Sequence, residues 1–372
     1  MKMNKRRILL GLLLVVVVAL IIFLILRRRD GKPDTGRIRV AAILSLNGPA
    51  ARFDAVKQQT VDLALSRVKA LYPDTPIELR VLDAGEGPET TNAAIKQALD
   101  WGASYFLSGT SPTALAIAAE VRGRTPAVVQ MANAANPDFG PPRIGEYRFW
   151  PDWKQEADLI QGVIQSEKIG SVFLIHSADP YSEALNKELK EKTKALNNFT
   201  LRDLQYDPAS TPDFRPALLR AKQEGTQAIV IFGLPPGIQA LMSQMAETHW
   251  DQALIGGVNI NLAVSDYDAA HLTGPLWLIE TEAMRDELPA GSEAQSFRSA
   301  YQQKYSAIPA FHSLYLADAL YFIAAAAAKF PDPNLPEVER IKTIRDFNSA
   351  SGHIEVNEDG TLRFVMSARR VR

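Results

Sequence analysis

The side chains able to do chemistry in this chain are few, and their spacing does not suit catalysis. The five histidines, His176, His249, His271, His312 and His353, fall at no interval used by zinc or iron motifs. Surface or packing roles are expected for each, and no metal is expected. There is no G-x-S-x-G nucleophile elbow, no Walker-type phosphate loop, and no G-x-G-x-x-G after the first apolar run. Gly85 and Gly87 in "DAGEGPETT" follow an apolar run, but the third glycine of a dinucleotide turn is missing. Asp83 and Glu86 in the same stretch are an acid/base pair only on paper, since the surrounding sequence reads as a solvated loop. The chain has no cysteine, which excludes thiol catalysis, disulfides, thiolate metal sites and lipidation of an N-terminal cysteine. The expectation is binding without bond chemistry and without a cofactor.

Loops of small polar and aromatic residues could do that binding. They are "LSLNGPAARF", "SGTSP" and "MANAANP" in the first half, and "HSADPYS", "FGLPPG" and "GGVNIN" in the second. Each follows an apolar run, and in open α/β sheets ligands bind just outside the carboxyl ends of the strands. Ser111, followed by Pro112 and an alanine-rich helical pattern, reads as a helix cap. A helix start also presents free NH groups and the positive end of a dipole, which suit a carboxylate or phosphate. Both roles stay open for Ser111.

The elements that must position these loops alternate regularly. "IRVAAILSL" is a continuous apolar run, the pattern of a strand buried on both faces of a parallel sheet. Helical patterns and further strands follow at "IELRVLDA", "SYFLSG" and "PAVVQMA", and the alternation restarts after "FWPDW" with "SVFLIHSA", "QAIVIFGL" and "QALIGGV". "PLWLIETEA" predicts a strand without its own helix. Helical regions then cover residues 293–304 and 313–329, and "GHIEVNEDGTLRFVMSARRV" predicts two strands joined at Asp359-Gly360. These late pieces complete the two earlier units, so the fold expected is α/β, with two doubly wound lobes joined by three crossovers. The expected division is residues 37–149 plus 281–350 for lobe 1, and 150–274 plus 351–372 for lobe 2 and hinge.

At 372 residues, 47% hydrophobic and 22% charged, the chain is long enough for two globular domains and is not polytopic. A formal net charge of -1 gives no basic face for nucleic acid. The N-terminus differs from the rest. Residues 8–26 carry no charge, and at about 1.5 Å rise per residue they match a ~30 Å hydrocarbon core. The run ends in Arg27, Arg28 and Arg29 without a small-residue cleavage pattern, so residues 1–29 are expected to be an uncleaved anchor and 30–36 a short linker. Basic residues on both flanks lean only slightly towards a cytoplasmic N-terminus.

From "IRVAAILSLNGPAARF" through "AGEGPETTNAAIKQAL", "FLSGTSPTALAIAAEV", "PAVVQMANAANPDF", "YRFWPDW" and "VFLIHSADPYSEALNKELKE" to "FRSAYQQKY", the soluble part resembles type I periplasmic binding proteins. More narrowly it resembles the leucine/isoleucine/valine-binding, ABC-importer substrate-binding group. The resemblance implies a non-enzymatic protein that traps a small amino-acid-like, carboxylate or amide ligand between two lobes and hands it to an ABC permease. It also puts the folded part outside an inner membrane that the N-terminal helix spans. A membrane-anchored sensing module acting on a partner membrane protein is the alternative. Carried over residue by residue, the resemblance puts ligand-binding roles on Ser111, Asn133, Ala135 and Tyr181, with Asn259 opposite them and Phe53 and Trp150 as pocket walls. Amino-acid-binding members use a threonine at the position of Ala135 and an acid near Val258 to hold the ligand ammonium. Neither stands here, so the resemblance points to an anionic or neutral polar ligand.

Overall fold

The computed structural model describes residues 37–47, 51–141, 143–210, 212–264, 272–332 and 334–371. The predicted N-terminal helix therefore lies outside the described residues. Five strands, β1 (Ile38–Leu44), β2 (Ile77–Asp83), β3 (Tyr105–Ser108), β4 (Val129–Ala132) and β5 (Glu146–Arg148), form one parallel sheet in the order β2-β1-β3-β4-β5. The helices between them are α1 (Ala51–Leu71), α2 (Pro88–Trp101) and α3 (Ser111–Val121). Strands β1, β3 and β4 are buried along almost their whole length, which is why they read as unbroken apolar runs.

The second half repeats the pattern with α4 (Trp153–Ser166), β6 (Ser171–Ser177), α5 (Pro180–Thr193), β7 (Thr200–Tyr206), α6 (Arg215–Gln223), β8 (Ala228–Phe232), α7 (Pro235–Glu247), β9 (Ala253–Gly256), α8 (Ile260–Val264) and β10 (Leu276–Thr281). A 3-10 turn, α9 (Glu293–Tyr305), α10 (Phe311–Lys329) and α11 (Glu337–Ile341) come next. Four more strands follow, β11 (Asp346–Ser349), β12 (Gly352–Val356), β13 (Leu362–Phe364) and β14 (Met366–Arg370). The second sheet runs β14-β10-β9-β8-β6-β7, parallel except for the antiparallel β10/β14 pair. A small antiparallel sheet, β11-β12-β13, lies in sequence between β10 and β14 of the second sheet. The C-terminal stretch thus makes three strands where the sequence predicts two. Asp359-Gly360 does form the β12/β13 turn, with Gly360 at φ +88°, but the chain breaks at Val365 and β14 leaves for the second sheet.

The chain passes between the large sheets after β5, again after β10, and a third time between β13 and β14. The middle passage sends α10 back against α1 of the first half. Thr60 Oγ1 donates to the Ser313 carbonyl at 3.1 Å, and Arg67 Nη2 reaches Glu293 Oε2 at 2.7 Å. Among the described residues α10 is the one helix long and apolar enough to cross a membrane. It is instead a core helix, since Ser313 to Ala327, Ala325 apart, is buried in protein.

Candidate functional site

In the first half the loops after β1 and β3 are tied together by a buried ion pair on α1. Asp54 and Lys57 stand one helical turn apart, 1% and 5% exposed, with Nζ 3.0 Å from Asp54 Oδ1. Asp54 Oδ2 accepts from the Ser45 amide at 2.7 Å, and Lys57 Nζ donates to the Gly109 carbonyl. A Cβ on Gly109 would stand 2.8 Å from Asp54 Oδ1, so only glycine lets the backbone come this close. Burial pulls the Lys57 ammonium below its ordinary range, and Asp54 works against that pull. Burial, with Lys57 nearby, pushes the His312 imidazole down to about 4, so it is neutral at pH 7.

Ser111 is not the cap of α3. Thr110 holds that position with extended φ/ψ, its Oγ1 accepting from the Thr113 amide at 3.4 Å, because the chain turns helical one residue earlier than the Ser-Pro pair suggests. The freed Ser111 Oγ accepts from the Asn136 amide at 3.2 Å and joins the β3 and β4 loops. Asn133 is 5% exposed. Its amide group donates to the His312 carbonyl and its backbone NH to the Ser108 carbonyl at 2.9 Å, so its side chain faces the start of α10. Ala135 is half-buried against the core. The side chain of Phe53 lies outside the described residues. Asp83 accepts from the amides of Leu46 and Gly85, both at 2.9 Å, and those bonds hold its carboxyl below the usual range. It is a loop anchor, not an acid/base group.

In the second half Tyr181 enters α5 behind the cap Asp179, whose Oδ1 accepts from the amides of Tyr181 and Ser182 at 3.0 Å. The ring is 4% exposed, and its hydroxyl donates to Glu156 Oε2 at 2.6 Å. Glu156 itself is 1% exposed, and its Oε1 accepts from the Val258 amide at 2.9 Å. Burial pushes the Glu156 carboxyl up to about 7, against the two hydrogen bonds that favour its charged form. Tyr181, Glu156, Ser182, Gly233, Gly257 and Asn259 enclose a cavity of about 10 Å³ at the carboxyl end of the second sheet, room for a single water. Asn261, the other candidate amide in "GGVNIN", is used up on the Val258 and Ile279 carbonyls at 2.9 and 2.8 Å.

Glu156 is a residue that the sequence reading missed. An acid does stand at Val258, but α4 supplies it from 102 residues away in sequence and not the β9 loop. The signal was its helical register, since Glu156 shares the buried face of α4 with Ile160, Val163 and Ile164.

Trp150 connects the halves. It packs edge-on against Tyr181, centroids 6.5 Å apart, and against Tyr315 of α10 at 5.7 Å, and Tyr315 in turn meets Phe311 at 6.1 Å. The structure thus brings Ser111, Asn133 and Ala135 into one group of loops, and Tyr181, Asn259 and Trp150 into another. Among the described residues no hydrogen bond joins the two groups. No cluster of His, Asp or Glu among the described residues could hold a metal.

A periplasmic binding protein family matches residues 37–369. No curated protein sequence matches the chain. Several solved structures share its fold. A leucine binding protein, LivK, from Thermotoga maritima superposes with a TM-score of 0.72 at 20% identity, over 90% of this chain and 95% of that one. The branched-chain amino acid substrate-binding protein LivJ from Streptococcus pneumoniae, in complex with isoleucine, gives 0.71 at 17% identity, over 90% and 95%. An ABC-transporter solute binding protein from Rhodopseudomonas palustris, in complex with 3,4-dihydroxy benzoic acid, gives 0.70 at 19% identity, over 91% and 93%.

Proposed function

The chain belongs to the periplasmic binding protein family, and on that premise we propose that it is an extracytoplasmic receptor that captures a small polar solute for an ABC importer. The observation that carries the reading is the placement of polar loops at the carboxyl ends of both large sheets, with a hinge of aromatic contacts at Trp150 between them. Residues 37–149 with 281–350 make lobe 1, and 150–274 with 351–372 make lobe 2. Residues 8–26 tether the receptor to the inner membrane, leaving the lobes outside. Ser111, Asn133 and Ala135 offer the lobe 1 surface and Tyr181 and Asn259 that of lobe 2, while Trp150 walls the pocket.

Glu156 widens the ligand class beyond the anionic or neutral solutes that the sequence favours. A carboxyl at the back of the lobe 2 wall gives an ammonium a partner, and leaving such a cation unpaired in a buried site is costly. Amino acids therefore stand beside small carboxylates as ligands. The solved relatives bind both kinds, isoleucine in one and 3,4-dihydroxy benzoic acid in another. A thermal-shift screen of amino acids, aliphatic and aromatic carboxylates and amides identifies the ligand, because a bound ligand raises stability by mass action. The combined Ser111→Ala and Asn259→Ala substitutions are expected to weaken that ligand without unfolding the chain. Unchanged affinity would remove both residues from the site.

A further inference from the structure

A second opening lies away from the carboxyl ends of the strands. It lies at the foot of the first sheet, where β1, β3 and β4 begin, and its volume is about 690 Å³. Small-molecule sites fall within roughly 300–1,000 Å³. Seven residues of β1 separate the two ends of the sheet, a span of about 20 Å at ~3.3 Å per residue, so this groove is separate from the proposed ligand site.

The lining combines an apolar wall with an excess of cations. Ile38, Leu99, Val128 and Leu335 supply aliphatic surface. Arg37, Arg39, Arg124 and Arg340 bring four positive charges against two acids, Asp74 and Glu337. Glu337 is already committed, since its Oε2 accepts from the Tyr105 hydroxyl at 2.6 Å and from Arg340 Nη1 at 2.8 Å. Arg37 and Arg39 lie towards Glu78. Arg124 differs, because its Nε donates to the Glu120 carbonyl at 3.0 Å and it has no carboxylate partner among the described residues. Its guanidinium stands exposed on the rim with its two terminal nitrogens open to a ligand. Arg340, 4% exposed, keeps a buried Nε with no hydrogen-bond partner among the described residues, a second cationic group with unmet demand in the same lining.

We propose that this groove is a second binding site, for a small amphipathic carboxylate whose alkyl body lies on the Ile38, Leu99, Val128 and Leu335 wall and whose carboxylate pairs with Arg124. A planar guanidinium with two free nitrogens takes a carboxylate in the bidentate geometry that gives the strongest such pairs. Asp74, exposed on the rim, sets the orientation by repelling the carboxylate from its own side.

Isothermal titration of the full chain with hexanoate tests the site, with hexylammonium as the charge control. The expected result is saturable hexanoate binding and none of the cation. Arg124→Glu should weaken hexanoate about tenfold or more, the loss that goes with one charge-assisted hydrogen bond. Ala127→Trp, at an exposed position of the lining, should abolish binding by filling the groove. Asn259→Ala, at the other site, should leave hexanoate binding unchanged. The proposal is overturned if hexanoate does not bind. It is overturned equally if hexylammonium binds as well, or if both groove variants keep full affinity. Loss of binding in Asn259→Ala alone would also overturn it, by placing the carboxylate between the lobes. Hexanoate held between the lobes instead is recognised by its loss in Asn259→Ala and its survival in both groove variants.

Discussion

Replacing Glu156 by glutamine should make the protein more stable at neutral pH, although Glu156 makes two good hydrogen bonds. The carboxyl is fully buried, and its pKa rises from the ordinary 4.5 to about 7 on folding. Between those values the folded chain holds a proton that the unfolded chain has lost, so stability falls as pH rises through the window and the loss is complete above about 7. At about 1.4 kcal/mol per pH unit, the cost accumulated across it is about 3 kcal/mol. Glutamine mimics the protonated acid. Its carbonyl can accept from the Val258 amide and its NH2 can face the Tyr181 hydroxyl, without the desolvation penalty of a charge. Denaturant unfolding of both proteins at matched pH values reads the effect directly. The stability difference in favour of the variant should grow by about 3 kcal/mol between pH 4.5 and 7 and then level off. Asp318, another buried acid raised to about 7 and held by the Ser351 amide and hydroxyl, titrates in both chains and cancels in the difference. Parallel curves over that range would refute the reasoning, because they would mean that Glu156 ionises as freely in the folded chain as in the unfolded one.

Lys57→Met should destabilise the chain by about 3–5 kcal/mol, because it leaves Asp54 buried beneath the Gly109 loop without its partner; chemical denaturation measures it, and adding Asp54→Asn should recover most of the loss. Thr110→Ala should cost about 1 kcal/mol by removing the α3 cap, seen as a lower unfolding midpoint with the same denaturant slope.

The strands that the sequence exposes most plainly are those buried on both faces, such as β1, β3, β4 and β8, since nothing polar interrupts them. Strand β7, "TLRDLQY", is an edge strand with several exposed positions, and its mixed pattern resembles a loop. Strand β5 is only three residues long, and β11 alternates exposed and buried residues over four. Among the candidate site residues, Ser111, Tyr181 and Asn259 stand out in the sequence because they follow strong strands. Lys57 and Glu156 were not, because a lone charge in a helix looks solvent-facing. Both sit on the apolar stripe of their helices, Lys57 in register with Thr60, Ala64 and Val68 as Glu156 is with Ile160. A charged residue on such a stripe has to find a partner inside the fold, and the identity of that partner depends on tertiary contacts that no local pattern contains.

The three passages of the chain also set an order in which its surfaces can close. The first sheet has all its strands once β5 has been made, yet the apolar face of α1 waits for α10, and the β10 edge of the second sheet waits for β14. A growing chain therefore carries an uncovered helix face until residues 311–329 emerge and an unpaired strand edge until residues 366–370 do. Neither half can finish folding first, so cutting the chain between the sheets should give two sticky fragments and not two domains.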